Sequence, residues 1–203
     1  MRVLLVILAL VALNVASADP ANAQSETGFR VSVLAGDGAF IGTAMGGARI
    51  TITDRRTGDI LIQGVTYGES QGTDAVLADS RARNAQLTSE NTASMEFSID
   101  LIEPTPVTIT ATAPLAQAQS MVSASKDMLL LPGKDYTGGN GIMLEIPGFS
   151  VDILSPPVNL KHAADDAQVK LVAHVAKLCG CKLEEGSHWP PENYQVEAHI
   201  YRD

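Results

Sequence analysis

The residues best equipped for chemistry sit late in the chain. Its two cysteines are Cys179 and Cys181, one residue apart. All four histidines, His162, His174, His188 and His199, fall in the same C-terminal stretch. Thiolate and imidazole together suit copper or zinc. On an extended strand, residues i and i+2 point to one face, so both sulfurs can share one soft ion. His199 lies on the next predicted strand and can face the cysteines across a hairpin. Strand parity puts His174 on the face opposite Cys179, unless Gly180 marks a bulge. A helix would put His174 and Cys181, seven positions apart, on one side. The candidate metal set is therefore Cys179, Cys181, His199 and His174, with copper before zinc. The competing reading is a plain pair of tail cysteines, oxidised to each other or to another chain, among surface histidines. A bridge between the two is demanding. Cα atoms two apart on a strand lie ~6.5–7 Å apart, at or beyond the usual disulfide limit of ~6.8 Å. Such a bridge requires a bent backbone.

Other motifs are weaker. Gly68-Glu69-Ser70-Gln71-Gly72 fits the G-x-S-x-G nucleophile elbow. That motif needs a strand-to-helix turn in an α/β sheet, with Asp and His partners. The surroundings are β-rich and the histidines lie far along the chain, so a Gly/Ser-rich loop is expected. Ser123 and Lys126 fit S-x-x-K without that enzyme class's companion motifs. Gly138-Gly139-Asn140-Gly141 has no helix after it and reads as a turn, not a phosphate cradle. Trp189, beside Pro190-Pro191, is either a binding-loop tip or a cap on a core edge. No catalytic constellation emerges, and the chain is expected to be non-enzymatic.

The elements that must position these residues are strands. Phe29, Val31 and Val33 alternate with Arg30 and Ser32. Residues 48–54 alternate again, Thr57-Gly58-Asp59 turns, and 60–67 returns, which is a hairpin pattern. Residues 68–91 are poor in large apolar side chains and predict a long loop or a short exposed helix within 74–87. Strand chemistry resumes at 94–101 and 107–113, then at 128–131. Residues 142–146 and 149–154 flank Pro147-Gly148. Short strands separated by Gly/Pro turns indicate an all-β, antiparallel β-sandwich. Beyond Ser155-Pro156-Pro157, residues 167–178 read as strand in preference to helix, and 194–201 read as a firm strand.

The first two dozen residues have the form of a secretory signal. Met1-Arg2 precedes an apolar run over 3–15, and small-x-small sites end at Ala18 and Ala23. Cleavage after Ala23 has the better spacing, and the apolar run is too short for a bilayer span of ~20 residues. A periplasmic or secreted location is expected, with no membrane span after cleavage. The formal charge is −9, spread without a basic stripe, which disfavours nucleic acid and anionic membranes. An envelope protein partner is expected instead. The expected organisation is a signal peptide at 1–23, a sandwich at 28–154, and an incomplete second β-rich segment at 158–203 carrying both cysteines. Two strands cannot hold a core alone. The tail must pack on the sandwich, be stapled by a metal or partner, or belong to a longer protein.

Residues 47–66, Gly-Ala-Arg-Ile-Thr-Ile-Thr-Asp-Arg-Arg-Thr-Gly-Asp-Ile-Leu-Ile-Gln-Gly-Val-Thr, resemble the opening hairpin of prealbumin-like, or carboxypeptidase regulatory-like, sandwich domains. Residues 106–113 and 128–133 look like later strands of that family. The resemblance spans about 28–154 and departs at the 68–91 insertion. It implies a seven-stranded sandwich used as an accessory or binding module, and it transfers no catalytic residue.

Overall fold

The computed structural model describes residues 25–36, 38–77, 82, 84–157 and 168–201. The predicted signal, His162 and part of the 74–87 stretch lie outside the described residues. The strands are β1 (Ser25–Ala35), β2 (Arg49–Asp54), β3 (Ile60–Val65), β4 (Met95–Leu101), β5 (Thr105–Ala113), β6 (Val122–Leu130), β7 (Ile142–Ile146), β8 (Phe149–Ser155) and β9 (Val172–Lys177). One short helix, α1 (Thr73–Leu77), sits in the poorly apolar stretch. Among the described residues no helix is long and apolar enough to cross a membrane.

Two sheets make the sandwich, in the orders β4-β1-β7 and β3-β2-β5-β6. β5 shows why these segments become strands. Val107, Ile109, Ala111 and Ala113 are fully buried, and the threonines between them are not. That period of two suits a half-buried sheet face, and the β-branched residues suit its pleat. Phe29, Val31, Val33 and Ala35 of β1 meet this face from the opposite sheet, with Ile142, Leu144 and Ile146 of β7 beside them. Each fully buried Val, Leu, Ile or Phe contributes ~1.5–3 kcal/mol. The Phe29 ring lies between Phe97 at 4.9 Å and Tyr136 at 5.2 Å, stacked on both.

The β2–β3 hairpin forms as its sequence predicts. Gly58, at φ 81°, lets the chain reverse. Its N–H donates to the Asp54 carbonyl at 2.8 Å. The Asp54 carboxylate accepts the Arg56 backbone N–H at 2.8 Å and its Nη2 at 2.9 Å. These bonds hold its carboxyl below the ordinary range, the Arg56 side chain first and its backbone N–H second.

Two departures from the expected pattern matter. The sandwich is not wholly antiparallel, because β1 pairs with β7 in parallel, Val31 opposite Ile142. And the chain after Pro147-Gly148 leaves the sandwich. β8 pairs instead with β9, across Val151–Val175 and Asp152–His174, in a separate two-stranded sheet. The strand reading of 167–178 holds for Val172–Lys177. The segment 194–201 does not pair and carries no strand ladder.

Candidate functional site

β9 runs into a tight turn that carries both cysteines. The Lys177 N–H donates to the Cys181 carbonyl at 3.0 Å, and the Gly180 N–H donates to the Lys177 carbonyl at 2.8 Å. Gly180 has φ 78°, a left-handed conformation that side chains disfavour. The bend brings the cysteine Cα atoms to 5.3 Å, and Cys179 and Cys181 are joined as a disulfide. The extended geometry that argued against a bridge does not apply, because the intervening glycine breaks the strand between the two sulfurs.

The turn is set into the end of the sandwich. Leu178 and Cys179, 0% and 4% exposed, belong to the same buried cluster as β1 and β5, and Cys181 packs against it. The tail thus packs on the sandwich here. Glycines make the room. A Cβ on Gly38 would stand 3.1 Å from the Cys179 sulfur, and one on Gly180 would meet the Met45 sulfur at 2.9 Å. Ser70 ties the turn to the loops: its Oγ accepts the Gly42 N–H at 3.0 Å and donates to the Cys179 carbonyl at 3.3 Å.

The four residues proposed for copper or zinc are not assembled. Cys179 and Cys181 are bonded to each other. His174 is exposed on β9, opposite Asp152. His199 is exposed on the unpaired tail, 3.4 Å from the Glu197 carboxylate. Among the described residues no group of three or more His, Cys, Asp or Glu side chains is placed to hold a metal. His188 instead reaches the Asp74 carboxylate of α1 at 3.0 Å, and the neighbouring Trp189 is buried.

The minor motifs resolve in structural terms. Ser70 has no histidine beside it among its hydrogen-bond partners, and both of its bonds are structural. Ser123 and Lys126 stand three apart on β6, so they point to opposite faces. Asn140, in the glycine turn, accepts the N–H groups of Leu87 and Thr88 at 2.7 and 3.1 Å and donates to the Ala85 carbonyl at 2.8 Å. It anchors part of the long 68–91 insertion.

An exposed apolar groove on the β8–β9 sheet is not announced by the sequence. Phe149, Val151 and Ile153 of β8 and Ala173 and Val175 of β9 share one face, where they line an apolar groove of about 1000 Å³. Val169, Leu171 and the tail residues 195–201 form its other walls. Ile153, Val196 and Ile200 are 65%, 67% and 86% exposed. At the start of the tail the Tyr194 ring meets Phe149 edge-on at 5.6 Å, and the Lys177 ammonium lies over both rings. The signal was present as alternation at positions 149, 151 and 153, but it read as a sandwich-core pattern.

No family model matches the chain, and comparison with curated proteins and with solved structures gives no match either.

Proposed function

We propose that the protein is an exported, non-enzymatic β-sandwich that acts as an interaction module of the cell envelope, holding an extended polypeptide segment of a partner against the β8–β9 sheet. The observation that carries this reading is the exposed apolar groove on that sheet. Patches of this kind on a monomer mark binding surfaces. The disulfide is the state that cysteines take in oxidising compartments, which supports export.

The choice of an extended segment comes from the strand edges. Both backbone groups of Val151 are used outward: its N–H donates to Ser120 Oγ at 3.1 Å, and its carbonyl accepts from the Gln119 side chain at 3.2 Å. The outer edge of β8 is therefore capped. Val151 faces Val175 across an antiparallel pair. In such pairs the groups of opposed residues both point inward or both point outward. The backbone groups of Val175, and of Ala173 two residues before it, thus face the outer edge of β9. At the next such position, Lys177, the N–H already takes the Cys181 carbonyl. A strand added beside Ala173 and Val175 continues that pairing, and its alternate side chains fall into the groove.

The test is a fluorescence-anisotropy titration with a panel of extended peptides carrying apolar residues at alternate positions. Binding that weakens at least tenfold in Val151→Asp supports the reading. Saturable uptake of fatty-acid probes with no peptide bound, or no uptake at all, overturns it.

A further inference from the structure

The Cys179–Cys181 bridge encloses a single residue. A cross-link stabilises a fold chiefly by removing loop freedom from the unfolded chain, and the effect shrinks with the loop. Closing one glycine removes very little. The turn is also held without its sulfurs. Two backbone hydrogen bonds link Lys177 with Gly180 and Cys181, Ser70 holds the Cys179 carbonyl, and Leu178 is fully buried in the core. Breaking the bridge leaves both sulfur atoms side by side in a turn that persists. A bond that adds little to the fold, between two atoms held together by other means, is suited to opening and closing.

The two sulfurs differ in access. Cys179 is 4% exposed, its sulfur only 3.1 Å from where a Cβ on Gly38 would stand, while Cys181 is partly exposed. We propose that the pair is a reversible thiol–disulfide exchange site, with Cys181 as the sulfur attacked and Cys179 as the buried leaving and resolving sulfur. The co-reactant is a thiol, either a small molecule or a cysteine pair on another protein. Its thiolate attacks Cys181 Sγ, forming a new S–S bond as the Cys179–Cys181 bond breaks. The electron pair leaves on Cys179 Sγ, which takes a proton from solvent. A second thiolate attacks the incoming group's sulfur and releases the Cys181 thiolate. In sum, the protein disulfide and two thiols give the protein dithiol and one external disulfide. In reverse, the protein is reoxidised by an external disulfide, with Cys179 resolving the mixed disulfide on Cys181.

The test uses the full folded chain in glutathione redox buffers, with intact mass and far-ultraviolet circular dichroism read together. The bridge is expected to open and close reversibly with the β signal unchanged. Limiting iodoacetamide on the reduced wild-type protein is expected to label Cys181 at least tenfold faster than Cys179. Cys179→Ala is expected to form a glutathione adduct with oxidised glutathione at least tenfold faster than Cys181→Ala. Should the Cys179→Ala variant fail to fold, the wild-type labelling order still decides. Reduction that occurs only after unfolding, loss of the β signal on reduction, or labelling of Cys179 as fast as Cys181 overturns the proposal.

Discussion

The hydroxyl of Ser70 donates to the carbonyl of Cys179 across 109 positions of sequence. The same oxygen accepts the N–H of Gly42, and a Cβ on Gly42 would fall 2.7 Å from it. One small polar side chain thus joins the loop after β1, the start of the 68–91 insertion and the disulfide turn. A serine that resembles a hydrolase nucleophile is committed on both sides to backbone groups.

Ser70→Ala removes both bonds and leaves a backbone donor to find water. The expected loss is about 1 kcal/mol of stability, read as a lower thermal midpoint. Any background esterase activity of the preparation should be the same in both proteins. A drop confined to the variant would return Ser70 to a catalytic role.

Gly180 and Gly58 have nearly the same positive φ, 78° and 81°, but different surroundings. An added Cβ at Gly58 meets nothing within 4 Å, whereas at Gly180 it meets the Met45 sulfur at 2.9 Å. Gly58→Ala should lose roughly 1–2 kcal/mol from backbone conformation alone. Gly180→Ala should lose about 1 kcal/mol more, because Met45 must shift within packed surroundings. Urea unfolding of the two variants compares them directly. Equal losses would mean that the disulfide turn is not packed against Met45.

The Asp54 carboxyl is held below its ordinary value by the Arg56 side chain and then by the Arg56 backbone N–H. The unfolded chain therefore takes up this proton at a higher pH than the folded one does. The resulting stability is complete above the unfolded value of about 3.9 and is lost as pH falls below it, through the lower folded value. Asp54→Asn should lower stability at neutral pH and flatten its decline in acid. Denaturation midpoints taken between about pH 6 and pH 2.5 check this. An unchanged acid slope would mean that Asp54 does not contribute.

The sandwich was legible where one strand face is buried against another. Val107, Ile109 and Ala111 alternate with threonines in β5, and the Thr57-Gly58 turn sets the neighbouring hairpin. Partner choice was not legible. Phe149, Val151 and Ile153 have the same alternation as a core strand, and nothing local says that their neighbour is β9, which lies across a long connection. Val31 likewise does not announce that Ile142 lies parallel beside it. Tyr194 to Tyr201 has strand periodicity, but a ladder also needs a partner edge, and none takes it among the described residues. The cysteine bridge was legible only as an alternative that needs a bent backbone: an extended chain holds the two Cα atoms too far apart, and Gly180 is the residue that allows the chain to bend. His199 was expected to face the cysteines across a hairpin and His174 through a bulge or a helix; among the described residues His199 lies on an unpaired tail and His174 is exposed on β9 opposite Asp152.

The groove makes a prediction that does not depend on knowing the partner. Ile153 is 65% exposed and has little packing to lose. Ile153→Asp should therefore change stability by no more than about 0.5 kcal/mol, as for an ordinary surface substitution. A core β-strand isoleucine would cost several times as much. The same change places a charge inside an apolar groove, where a hydrophobic dye such as anilinonaphthalene sulfonate must shed water to bind. Dye fluorescence of the native wild-type protein should be enhanced and should fall at least threefold in the variant. A control at Gln63, on the outer edge of the sandwich, should leave it unchanged. Unaltered dye binding with a large loss of stability would mean that the β8–β9 face is covered in solution and is part of a core.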